Sequence, residues 1–231
     1  MKTIGLLGGM SWESTSDYYR LLNQHAKKIL GGFHSAQIVL YSVDFAPIEK
    51  LQQRGDWEAA GEILVEAARS IEKAGADFLL ICTNTMHKLA ETVQGGISIP
   101  LLHIGDATGR ILQDLQISSV GLLGTAFTME QDFYRGRLEK QYNMTVYIPE
   151  ERDRQLVHNV IYNELCQGIR KESSQREYLR IIDSLANRGA EAVILGCTEI
   201  GMLVKQADSR ITLLDTTAIH VQEAVKLAFE Q

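Results

Sequence analysis

The chain has 231 residues, 45% of them hydrophobic and 23% charged, with 19 glycines, 3 prolines and a net charge of −6. That composition belongs to a folded globular protein and excludes collagen-like and disordered classes; at roughly 100–200 residues per domain, the length makes one large domain or two small ones. A nucleic-acid or anionic-membrane surface needs a basic patch, and Arg135-Gly136-Arg137 and the mixed-charge run 150–154 read instead as solvated helix faces.

In chain order, short apolar runs predict buried parallel strands at residues 3–7, 36–43, 78–82 and 101–104, then at 119–123, 144–148, 192–195 and 212–214. Helical periodicity lies between them. Residues 57–74 put Ile63, Leu64, Ala67, Ala68 and Ile71 on one face, and Gly75 stops the helix. Residues 157–167 form a helix carrying Cys166, and residues 173–188 align Leu179, Ile182, Leu185 and Ala186 behind Ser173 or Ser174 as cap, with Gly189 as the stop. Residues 218–229 make a last helix expected to pack back on the first lobe. Alternating strands and helices predict parallel α/β sheets with ligands at the carboxyl ends of the strands.

The chain is also written twice. Gly5-Leu6-Leu7-Gly8-Gly9 recurs as Gly121-Leu122-Leu123-Gly124-Thr125, an offset of 116. Gly75-Ala76-Asp77-Phe78 recurs as Gly189-Ala190-Glu191-Ala192, an offset of 114, and Ile99-Pro100-Leu101-Leu102 as Ile211-Thr212-Leu213-Leu214, an offset of 112. Repeats of this length are small domains rather than solenoid units. The expectation is two pseudo-symmetric Rossmann-like lobes, 1–116 and 117–231, with the active site in the cleft between them.

The offset of 114 sets Thr83 opposite Cys197 and Asn84 opposite Thr198. Aimed from opposite sides, such a pair suits α-proton exchange, one group taking a proton from one face and the other supplying the opposite face. Cys197 follows a strand and is expected to precede a helix N-terminus, whose partial positive charge favours thiolate. Alternation turns Cys82 into the sheet packing, and core packing is the default for Cys166. The odd cysteine count and wide spacing fit reduced thiols in the cytoplasm. The opening apolar run is too short for a secretory signal, and no stretch approaches the ~18 apolar residues of a membrane span. His87, four residues past Thr83, either orients the site or is a helix-start histidine bonded to backbone. A zinc site drawn from Cys82, His87, His103 and Cys197 lacks ligand spacing, and Gly5-x-x-Gly8-Gly9 lacks the dinucleotide-binding pattern.

Through Gly8-Gly9-Met10, Asn84-Thr85-Met86-His87, Gly124-Thr125 and Gly196-Cys197-Thr198-Glu199 the chain resembles the cofactor-independent aspartate/glutamate racemases over essentially its whole length. Glu199 resembles the aspartate branch; glutamate racemases of the wall pathway usually carry His there. The resemblance implies a two-lobed α/β fold, no pyridoxal phosphate, no metal, a homodimer, and Cys197 acting on the L face. It implies that Asn84, Thr85, Thr125 and Thr198 hold the substrate carboxylate and amine, with help from around Met10 and from Glu199. Two departures stand out. Thr83 replaces the family's first catalytic cysteine, so an asymmetry favouring L-substrates is expected. The family's Lys, which grips the substrate side chain, falls at Cys166, leaving Lys50, Gln52 and Arg54, near the loop after Val43, as candidates. The alternatives are a broader-specificity amino-acid racemase, a single-cysteine diacid isomerase or decarboxylase, and a silent small-molecule binder. A patch of Trp12, Tyr18, Tyr19 and Leu22 reads either as dimer surface or as one helix packed on the sheet.

Overall fold

The computed structural model describes residues 1–229. The chain divides into two compact units, one of Met1–Ile104 with the stretch from His220 onward, the other of Gly105–Ile219. The first runs β1 (Ile4–Gly8), α1 (Trp12–Leu30), β2 (Ile38–Ser42), α2 (Phe45–Arg54), α3 (Trp57–Lys73), β3 (Phe78–Ile81), a 3₁₀ turn (Thr85–Leu89) and α4 (Ala90–Gly95). The second runs α5 (Ile104–Asp114), β4 (Ser119–Gly124), α6 (Ala126–Glu130), α7 (Arg135–Tyr142), β5 (Thr145–Tyr147) and α8 (Glu151–Asn163). It continues with a 3₁₀ turn (Leu165–Gln167), α9 (Glu172–Asn187), β6 (Ala192–Gly196), α10 (Ile200–Leu203) and β7 (Thr212–Asp215), and α11 (Thr216–Phe229) ends the described chain.

Both sheets are parallel, with the order β2-β1-β3 in the first unit and β5-β4-β6-β7 in the second. The repeat seen in the sequence is a repeat in hydrogen bonding. Asp77 N donates to Thr3 O at 2.8 Å, while Asp77 Oδ2 accepts from Thr3 N at 2.6 Å. Glu191 N donates to Ser119 O at 2.9 Å, while Glu191 Oε1 accepts from Ser119 N at 3.0 Å. Likewise Leu79 pairs with Leu101 as Val193 pairs with Leu213.

The strand expected at 101–104 is reduced to that single bridge. Leu79 N donates to Pro100 O and Leu102 N to Leu79 O, both at 2.9 Å. Extending the ladder backward needs an N–H at residue 100, where β7 has Thr212 and this strand has proline. Forward extension ends where α5 begins at Ile104.

Period-two alternation builds the first unit's core. Ile4, Leu6, Phe78, Leu80 and Cys82 face Tyr18 and Leu22 of α1 and Val221, Ala224 and Val225 of α11. Leu7, Leu79 and Ile81 face Ile48 of α2 and Leu64, Ala67, Ala68 and Ile71 of α3. So the last helix does pack into the first unit. The aromatic patch on α1 is split: Tyr18 and Leu22 are core, while Trp12 and Tyr19 are 67% and 53% exposed.

Two local expectations are corrected. α9 is capped at Lys171, in extended backbone, because the hydroxyl of Ser174 is committed to Glu164 Oε2 at 2.7 Å. The helix expected at 157–167 stops at Asn163, and Cys166 sits in the following 3₁₀ turn, closed by the left-handed Gly168. Lys50, Gln52 and Arg54, near the loop after Val43, lie on α2, which Asp44 caps by accepting from Ala46 N.

Candidate active site

In the first unit the site residues gather where β1 and β3 end. Gly9 has φ +95°, and a Cβ there would lie 2.2 Å from Val43 O, so only glycine lets the chain turn this closely after β1. Met10 follows it and is buried. Beyond β3, Cys82 is fully buried in the core, and burial pushes its thiol pKa far up. Thr83, Asn84 and Thr85 come next, all buried. Their backbone is tied from two sides: Ser14 Oγ donates to Cys82 O at 2.9 Å, and His87 Nδ1 is 2.7 Å from Thr83 O. His87 therefore does bond to backbone. His103 stands edge-on to it, with ring centroids 4.6 Å apart. Buried Gln52 approaches the same turn, its Nε2 2.8 Å from Met86 Sδ, whereas Lys50 and Arg54 are exposed.

The second unit builds the matching corner from β4 and β6, which pair Gly124 with Gly196. A Cβ on Gly196 would come within 2.8 Å of Leu123 O, so the strand ends meet only as glycines. Thr125 caps α6, its Oγ1 accepting from Thr128 N at 3.3 Å. Cys197 follows Gly196 and is 8% exposed. Its Sγ donates to Glu199 Oε2 at 2.9 Å, and Thr198 Oγ1 donates to the same oxygen at 2.6 Å. Cys197, Thr198 and Glu199 thus form one hydrogen-bonded group, with Thr125 at the end of the adjacent strand.

The helix expected after Cys197 is present, but it is too short to set the thiol's ionisation. α10 is a single turn of four residues, and Glu199 occupies its N-cap position. Burial first, and then the Glu199 carboxylate, push the Cys197 thiol well above the ordinary range. Cys197 is therefore a thiol hydrogen-bonded to the Glu199 carboxylate rather than a standing thiolate. Tyr178, also fully buried, donates to Val157 O at 3.0 Å, and burial raises its phenol pKa.

The sequence reading missed Ser14 and the tie between Glu199 and Cys197. Ser14 lies 68 positions from the carbonyl it binds, so no local signal points to it. The Cys197-x-Glu199 spacing was visible, but its geometry depends on the backbone turn after β6. Among the described residues, no group of three or more His, Cys, Asp or Glu could hold a metal ion, and no helix is long and apolar enough to cross a membrane.

The chain is 50% identical to a Yersinia pestis protein of known structure, provisionally described as an Asp/Glu racemase, with full coverage of both chains and a TM-score of 0.93. It is 31% identical to an aspartate racemase homologue from Pyrococcus horikoshii OT3, again with full coverage of both, at a TM-score of 0.86. It is also similar to the broad-specificity amino-acid racemase RacX of Bacillus subtilis, 24% identical over 96% of each chain. The family described as Asp/Glu/hydantoin racemase matches residues 7–224, and the chain belongs to that family of isomerases.

Proposed function

We propose that the chain is a cofactor-independent racemase of aspartate and glutamate in which Cys197 works on the L face and Thr83 on the opposite one. The observation that carries this reading is the Sγ–H···Oε2 bond from Cys197 to Glu199. An α-amino acid brings an ammonium group that offsets the negative charge of the pair. The thiol proton passes to Glu199 Oε2, and the thiolate takes the α-proton of an L-substrate. The buried hydroxyls and amide of Thr85, Thr125, Thr198 and Asn84 hold the substrate carboxylate and amine, and the donors among them stabilise the carbanion-like state. Met10 and Gln52 line the substrate side. Thr83 Oγ–H then gives its proton to the opposite face, leaving the D-enantiomer, and is reprotonated from solvent.

This assignment has an asymmetric consequence. The two enantiomers have equal free energy in water, so kcat/KM for net racemisation is equal in both directions. Proton exchange is under no such constraint. Cys197 returns a solvent-derived proton to the L face before inversion occurs, whereas a threonine hydroxyl is so weakly acidic that it takes the α-proton of a D-substrate only at the slow rate of inversion. Wash-in from L-substrates with retention should exceed inversion, and wash-in from D-substrates should be slow.

A broader amino-acid range is the second reading. Of the three candidates for gripping a side-chain carboxylate, the two cations are exposed and the buried one, Gln52, is neutral. A homodimer in the cytoplasm completes the proposal, and light scattering measures its mass.

The experiment is α-deuterium wash-in in D₂O, followed by proton NMR, on both enantiomers of aspartate, glutamate and several neutral amino acids. Wash-in for an L-acidic substrate that disappears in Cys197→Ser is the expected result. Absence of wash-in for every amino acid refutes the reading and turns it to diacid isomerisation or decarboxylation, or to a silent binder.

A further inference from the structure

The peptide groups on both sides of the Thr83 α-carbon are held by side chains. Ser14 Oγ binds the carbonyl before it, at Cys82, and His87 Nδ1 binds the carbonyl after it, at Thr83. The proton on His87 can be located by exclusion. Its Nε2 lies 3.2 Å from Ile104 N, and a backbone N–H can only donate, so Nε2 is the acceptor. The carbonyl of Thr83 can only accept, so Nδ1 carries the proton. Both ring nitrogens are thereby committed to main chain, one within the turn after β3 and the other at the start of α5. The ring is 2% exposed and is flanked by His103 and by His220, whose Nδ1 meets Tyr18 Oη and whose Nε2 meets Leu102 O, both at 2.8 Å.

We infer that His87 is the positioning residue for Thr83, fixing its backbone through the Thr83 carbonyl, and is not a proton relay to the Thr83 hydroxyl. A relay needs a ring nitrogen exchanging its proton with Oγ, and here each nitrogen already serves a peptide group. This inference rests on the reading of Thr83 as the opposite-face group. A group that delivers a proton to carbon must be aimed closely, and errors of an ångström are costly. A short β-branched side chain has one rotatable bond to its oxygen, so its aim is set almost wholly by the backbone that His87 and Ser14 hold.

Two substitutions separate the roles. In His87→Asn the amide nitrogen falls near the position of Nδ1 and keeps the bond to Thr83 O. In His87→Gln the longer amide falls near Nε2 and gives up that bond. The readouts are inversion of L-glutamate, which needs Thr83, and retention wash-in on the same sample, which needs Cys197. The expected result is that His87→Asn inverts within a few-fold of wild type, while His87→Gln loses inversion by at least about tenfold with retention wash-in little changed. Ser14→Ala, which leaves the ring in place, should weaken inversion in the same direction.

Equal loss of inversion in both His87 variants would overturn the inference in favour of a relay or of simple filling of the core. So would unchanged inversion in His87→Gln. If wild type exchanges on the L face but never inverts, the reading of Thr83 fails and the inference with it. If wild type inverts and only the His87 pattern is wrong, the inference fails alone. The retention wash-in reports folded, substrate-competent protein in every variant.

Discussion

Replacing Glu199 by glutamine separates two roles that push the exchange rate in opposite directions. With Cys197 Sγ 2.9 Å from Glu199 Oε2, a thiolate and a carboxylate together would repel by about 6 kcal/mol at an effective dielectric of about 20. If the carboxylate is merely a neighbouring charge, removing it makes the thiolate easier to form, and L-face wash-in speeds up. If it is the acceptor of the thiol proton, glutamine cannot take that proton. A positioned general base is worth roughly 10²–10⁴-fold, or about 3–5 kcal/mol of barrier. The reading developed here requires the second outcome. L-glutamate wash-in in D₂O, measured at saturating substrate, should fall by at least about a hundredfold in Glu199→Gln. A rate in Glu199→Gln equal to or above wild type would refute the reasoning.

Thr83→Cys should raise D-substrate wash-in and inversion by at least about tenfold, because a thiol can be ionised where a hydroxyl cannot; no gain would show that this position does not face the α-carbon. Tyr178→Phe removes the donor to Val157 O, a carbonyl inside α8 that a helical N–H also reaches, so the loss should be about 1 kcal/mol, or roughly 2–4 °C in thermal midpoint. Burial raises the pKa values of the Cys82, Cys197, Tyr134 and Tyr178 side chains in the folded state. The folded protein therefore holds these protons more tightly than the unfolded chain, and their contribution to stability is present below the ordinary thiol and phenol values and lost as pH rises above them. Urea midpoints should decline through the alkaline range, with a shallower slope in Cys82→Ala.

Much of the architecture was legible because it is periodic or repeated. Alternation assigned Ile4 and Leu6 to one face and Leu7 to the other, and drifting offsets located the paired strands. The failures are where a residue's partner is remote or its own chemistry is preempted. Pro100 removes a ladder donor, which an apolar run cannot reveal. Ser173 and Ser174 look like caps, but Ser174 is recruited by Glu164, ten residues back. At the candidate site the residue types were readable and their electrostatics were not. The expected helix over Cys197 is one turn long, and burial, helped by a carboxylate two residues on, governs the thiol instead.

The first unit is not continuous along the chain, and this has a consequence for how the protein is made. Lys2 N donates to Ala228 O at 2.9 Å, and Val221, Ala224 and Val225 fill the core against Ile4 and Leu6. A nascent chain makes these strand residues more than two hundred residues before the helix that packs on them. The second unit, by contrast, has its whole sequence available before that helix is complete. Synthesis order and folding order therefore run opposite ways here: the half translated first is the half that must wait, with the part of its sheet that Val221, Ala224 and Val225 cover left open until α11 is made.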